Sequence, residues 1–110
     1  MSTKVIIIIG TGDREKAIAG LMYARNALKK KWLDDVKVVF FGPSEKLAVH
    51  DTEVKWFIKE ITALSDCFAC KAISDKEGLS EKLGEAGVKV EYVGTTISNA
   101  IKEGYLPMVW

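Results

Sequence analysis

Hydrophobic positions along the chain switch between two periods, and the switches divide it into alternating strands and helices. Val5 to Ile9 is an unbroken β-branched run, the pattern of a central parallel strand buried on both faces, and Gly10-Thr11-Gly12-Asp13 stops it. From Asp13 to about Lys31 the apolar positions Ala17, Leu21, Ala24 and Leu28 recur at helical spacing, with Asp13 as N-cap and Glu15 in the first turn. Gly20 inside this helix permits close packing on a sheet. Val36 to Phe41 reads as a second strand stopped by Gly42-Pro43, and Ser44 is placed to cap the next helix, with Glu45 among its first positions. Residues 46–64 read as one or two helices through Leu47, Trp56, Ile58 and Ile61.

The third strand has the weakest pattern, roughly Ser65 to Ala69, and ends at the cysteines. Gly78 and Gly84 divide the polar segment 71–87 into two short helices. Val88 to Val93 alternates as Val-Lys-Val-Glu-Tyr-Val, so it is exposed on one face and lies near an edge, and Gly94-Thr95-Thr96 closes it. Ile97 to Glu103 fits a short helix ended by Gly104, and Tyr105 to Trp110 a last strand that Pro107 confines to an edge or a strand end. The alternation predicts one α/β domain over residues 1–110, a three-layer α/β/α sandwich around a five-stranded, mostly parallel sheet. The strand ends then deliver Thr11, Gly12, Gly42, Pro43, Cys70, Thr95 and Thr96 to one edge, where hydroxyls and free N–H groups suit an anion.

With 110 residues and 12.2 kDa, the chain is large enough to bury a core without disulfide or metal support. A net charge of +1 with lysines interleaved among carboxylates argues against nucleic acid as a partner. The basic run Lys29-Lys30-Lys31 sits where cations oppose the negative end of a helix. Five apolar residues after Met1-Ser2-Thr3-Lys4 are too few for a signal-peptide core or a membrane span, so a cytoplasmic location is expected. Trp32, Trp56 and Trp110, with Phe40, Phe41 and Phe57, read as core or subunit interface. The apolar tail Tyr105-Leu106-Pro107-Met108-Val109-Trp110 calls for cover from the chain's own helices or from another subunit.

Gly10-Thr11-Gly12 opens like a dinucleotide fingerprint, but Glu15 stands where the third glycine belongs and no P-loop lysine follows, which leaves a tight strand-to-helix turn. His50 is the single histidine and is followed by Asp51-Thr52-Glu53 with no nucleophile beside it; it reads as a surface residue at a helix end. The chain's two cysteines stand as Cys67-Phe68-Ala69-Cys70. The spacing is that of a redox motif, while zinc would need two further ligands that a chain with one histidine does not offer, so no metal site is expected. Strand alternation points Cys67 into a sheet–helix interface as a buried or auxiliary thiol. Cys70, at the strand's carboxyl end beside the next helix and Lys71, is in surroundings that favour a thiolate and is the candidate catalytic residue.

Ala69-Cys70-Lys71-Ala72-Ile73 followed by Glu77-Gly78-Leu79 resembles the DsrE/DsrF-like family of small sulfur-handling proteins, which includes the TusD and YchN groups. Val93-Gly94-Thr95-Thr96, Ala100-Ile101, Glu103-Gly104-Tyr105 and Phe40-Phe41-Gly42 resemble the same family's last helix and strand and its second strand end. The resemblance implies a five-stranded parallel α/β/α fold, homo-oligomers that are often trimers or hexamers, and a persulfide carried on the cysteine that matches Cys70. It also implies sulfur donors and acceptors as partners and no cofactor. Cys67 lies outside the family pattern, which leaves open a thiol-disulfide oxidoreductase or redox sensor that uses both cysteines. A non-catalytic oligomer that binds a small anion is the third reading.

Overall fold

The computed structural model describes residues 2–110. Its elements follow in the order β1 (Lys4–Ile9), α1 (Arg14–Lys29), β2 (Asp35–Phe40), α2 (Ser44–His50), α3 (Thr52–Thr62), β3 (Cys67–Cys70), α4 (Lys71–Glu77), α5 (Ser80–Glu85), β4 (Lys89–Glu91), α6 (Val93–Lys102) and β5 (Leu106–Val109). The strands form one sheet in the order β4-β3-β2-β1-β5, and every pairing is parallel. The sheet is therefore wholly parallel, with helices on both faces.

The β-branched run holds the centre because β1 pairs on both sides, and Ile6, Ile7 and Ile9 have no exposure. The short β4, with Lys89 and Glu91 exposed, and the proline-bearing β5 form the two edges. On the first face Val5, Ile7, Ile9, Val36, Val38, Phe40, Cys67 and Ala69 pack against α1, α2, α3 and α5. On the second face Ile6, Val39, Phe68 and Cys70 meet Val93, Ile97 and Ala100 of α6. There Lys4 and Lys37 lie 4.9 and 5.2 Å from the Tyr105 ring centre, and the Tyr105 hydroxyl donates to Asp35 Oδ2 at 2.5 Å. Lysines at strand starts thus cover aromatic rings with their charges toward water.

Local chemistry explains most boundaries. Asp13 Oδ1 accepts from the Lys16 N–H at 3.1 Å, which starts α1, and Lys31 takes the left-handed φ of 56° that ends it. Residues 46–64 are two helices, because Asp51 ends α2 and then caps α3 by accepting from the N–H groups of Glu53 and Val54 at 3.0 Å. Ser44 does not cap α2. It is the first helical residue, and its hydroxyl donates to the Ile9 carbonyl, tying α2 to the end of β1. The Gly94-Thr95-Thr96 segment lies inside the first turn of α6 and does not close β4, so the strand is shorter and the helix longer than the alternation predicts. The third strand likewise begins at Cys67, two residues later than the pattern places it, and includes Cys70.

Candidate functional site

After β3 the chain runs through α4 to α5 on the first face, whereas after β4 it enters α6 on the second. Adjacent parallel strands whose connections diverge in this way open a crevice beyond their carboxyl ends, where α/β sheets place ligands. Cys70 is the last residue of β3, is paired with Glu91 at the end of β4, and occupies the N-cap position of α4 without a side-chain capping bond. Its side chain lies on the second face among Val39, Phe68, Val93, Ile8, Ile73 and Ile97.

The two cysteines occupy opposite faces. Cys67 sits in the first-face core at 1% exposure, and burial, with Asp66 adding a smaller push, raises its thiol to about 12. Cys70 retains 7% exposure. Three residues of strand separate the two Cα atoms by about 10 Å, beyond the roughly 7 Å that a disulfide spans, and both thiols are free. An internal disulfide would require β3 to come apart. Lys71, expected beside the thiol, instead donates to Asp75 Oδ2 at 2.5 Å and lies 6.0 Å from the Tyr92 ring centre.

The predicted anion-binding residues do not converge on Cys70. The Thr11 N–H donates to the Trp110 carbonyl at 3.3 Å, alongside Gly10 at 2.8 Å, while the Thr11 hydroxyl accepts from the Asp13 N–H at 3.0 Å. Gly12 packs against the next turn, where an added Cβ would fall 3.0 Å from Pro43 Cβ. Both lie in the turn that follows β1, a strand two places from β3 and about 10 Å away in the sheet. Thr95 is exposed in the first turn of α6, and the Thr96 hydroxyl donates to Glu91 Oε2 at 2.5 Å. These two flank the β4 end beside Cys70 with Thr96 already engaged. Among the described residues no three His, Cys, Asp or Glu side chains gather as a metal site.

Gly42 belongs to a different arrangement, one the sequence did not reveal. It adopts a φ of 93°, and its N–H donates to Glu45 Oε2 at 3.2 Å while its carbonyl accepts from the Glu45 N–H at 3.0 Å. Glu45 has no exposure, and its Oε1 has no partner. Burial pushes the carboxyl up to about 7, with the Gly42 hydrogen bond opposing and the Glu77 charge adding to the rise. Beside it lies a cleft of about 220 Å³ lined by Gly42, Pro43, Lys46, Ile73, Glu77 and Leu79. Lys46 Nζ and Glu77 Oε2 stand 3.7 Å apart there. Glu at the third position after Gly42 is the sequence signal of a helix start, which gives no hint that the carboxyl is buried.

No protein-family model matches the chain, and no curated protein matches its sequence. Its fold is shared with solved structures. A conserved protein of unknown function from Bacteroides thetaiotaomicron, BT1422, superposes with a TM-score of 0.84 at 24% identity, over 97% of this chain and 95% of that one. A protein of unknown function from Methanobacterium thermoautotrophicum, MTH1491, does so with a TM-score of 0.78 at 21% identity, over 98% and 99%. At these identities the likeness establishes the fold.

Proposed function

We propose that the protein is a cytoplasmic, homo-oligomeric sulfur carrier that holds sulfane sulfur as a persulfide on Cys70. The observation that carries this reading is the position of Cys70: a thiol at the divergent strand ends, with some exposure, on the opposite face from the sealed Cys67. In the transfer step the Cys70 thiolate attacks the terminal sulfur of a donor persulfide. One S–S bond forms on Cys70, the donor's S–S bond breaks, and the donor leaves as a thiolate. An acceptor thiolate later removes the outer sulfur in the same way, so no net oxidant, reductant or cofactor is consumed.

Mass spectrometry of the protein after exposure to a sulfane-sulfur donor tests this. The expected result is one added sulfur, mapped to Cys70, retained in Cys67→Ser and absent in Cys70→Ser. Loading that is unchanged in Cys70→Ser, or no loading from any donor, overturns it. A reversible disulfide between the two cysteines would favour the oxidoreductase reading, and two unreactive thiols the non-catalytic, anion-binding one.

A further inference from the structure

Among the described residues, the charged side chain that the sheet sets beside Cys70 is that of Glu91. The two are register partners on parallel strands, and such partners share a face at the strand spacing of about 4.8 Å. That face is the second one. Glu91 lines a shallow pocket of about 200 Å³ together with Phe68 and Ala100, and both of these pack in the cluster that holds Cys70. The Thr96 hydroxyl donates to Glu91 Oε2 at 2.5 Å from the first turn of α6, the end of the helix that favours a negative charge. A carboxylate is therefore fixed next to the thiol.

No cation offsets it there. Lys71, next to Cys70 in the chain, is engaged by Asp75. Lys37 and Lys89 share the second face but lie toward the strand starts, 3.9 and 3.0 Å from Asp66. The remaining neighbours of Cys70 include Val39, Ile8, Ile73 and Ile97, all apolar. The Thr96 hydroxyl, expected from the sequence to bind a foreign anion, already holds the chain's own. A molecule that approaches Cys70 meets apolar walls and one fixed negative charge, which repels an anion and leaves an uncharged molecule unaffected.

Resting on the sulfur-carrier reading, we propose that Glu91 selects the sulfur donor by charge. Cys70 takes sulfur from the uncharged S–SH end of a thiol-borne persulfide and discriminates against small inorganic anions such as thiosulfate. In the favoured reaction the Cys70 thiolate bonds to the outer sulfur, the proton stays on that sulfur, the donor's S–S bond breaks and the donor leaves as a thiolate. In the disfavoured one the same bond to sulfur forms, the S–S bond of thiosulfate breaks and sulfite leaves. Glu91 takes part in neither bond change; it sets which donor comes within reach.

Two disulfide reagents read this selection without any sulfur donor: dithiodipyridine, which is uncharged, and dithiobis-nitrobenzoate, which carries two carboxylates. Their rates are measured with labelling mapped to Cys70, and each is divided by the rate of an uncharged free thiol, N-acetylcysteine amide. The wild type is expected to disfavour the nitrobenzoate reagent by roughly tenfold, Glu91→Gln to remove most of that gap, and the dithiodipyridine rate to stay within about twofold. Salt at about 1 M should close the wild-type gap as well, by screening. A purely structural role for Glu91 would move both rates together, so equal changes, or no change, in Glu91→Gln overturn the proposal. Sulfur loading from thiosulfate that is as fast in the wild type as in Glu91→Gln overturns the donor class. Charge selection that depends on Glu91, with no sulfur loaded from any donor, supports the role of Glu91 at the thiol and overturns the sulfur-carrier reading instead. A Cys70 that reacts with neither reagent overturns both.

Discussion

A carboxyl group with no exposure and one unpartnered oxygen is unfavourable for a fold to keep, and Glu45 has both properties. Its Gly42 hydrogen bond offsets only part of the loss of water, so its proton is held up to about 7, against 4.5 as the ordinary value. The native state therefore binds a proton that the unfolded chain releases between those two values. Stability from this group is fully present below about pH 4.5 and is lost as the pH rises through about 7. At about 1.4 kcal/mol per pKa unit, the whole effect is about 3 kcal/mol. Urea midpoints at about pH 5 and about pH 8.5 should differ by a loss of this order in the wild type, and the difference should largely vanish in Glu45→Gln. Parallel pH profiles for the two proteins would show that the carboxyl titrates as an exposed glutamate does.

Elements are held by close approaches as much as by pattern, and α1 is the clearest case. Gly20 faces the sheet, where an added Cβ would lie 2.8 Å from Ile9 Cδ1 and from Trp110 Cγ, so the indole of the last residue packs on the glycine itself. Gly20→Ala should cost about 1–3 kcal/mol by overpacking, read as a lower thermal midpoint. Gly84 in α5 has nothing within 4 Å of a built Cβ, and Gly84→Ala should stabilise by about 0.5–1 kcal/mol through helix propensity alone. Equal effects of the same sign would remove the packing account. The role of Gly20 was legible in the sequence, as were the cap at Asp13, the two edges and the burial of Cys67 in a sheet–helix interface, because each follows from a local period or a turn residue; that Cys70 belongs to the strand and faces the opposite side was not, since the pattern ended the strand at Ala69. The α6 boundary was not. Gly94 and the two threonines favour a turn by composition, but Thr95 N–H donates to the Tyr92 carbonyl and the chain is already helical at Val93, where the helix buries its first apolar side chain against the sheet. Glu45 was legible as a helix start and illegible as a buried acid, since burial depends on how α2 packs against β2, α3 and α5, contacts that no local pattern encodes. The same reason separates Thr11 and Gly12 from Cys70: all lie at strand ends, but the order of strands, which no local pattern encodes, puts β2 between them.

At the scale of the whole molecule the sheet is unevenly covered. The first face carries α1, α2, α3 and α5, while the second relies mainly on α6, which runs from the end of β4 back to β5. Beyond that helix Phe41 is 40% exposed and Val109 is 73% exposed, and alternation puts both on the second face with the half-buried Ile8 between their strands. Leu106, at 65% exposure, adds to the apolar edge. Pro107 removes a backbone donor in the middle of β5, so continued strand pairing with another sheet is a poor way to cover this edge, and side-chain packing against a second copy is the better one. If homo-oligomerisation uses this surface, sedimentation velocity at tens of micromolar should give a mass that is a multiple of the 12.2 kDa chain. Val109→Glu should then shift it toward the single chain, because a carboxylate would have to be desolvated at the contact. Lys102→Glu, on the exposed end of α6, changes charge without touching the apolar patch and should leave the mass unaltered. A single species at the chain mass in the wild type would remove the oligomer and return β5 to an edge protected by Pro107 alone, whereas dissociation by Lys102→Glu with Val109→Glu intact would move the contact from the sheet to the helix.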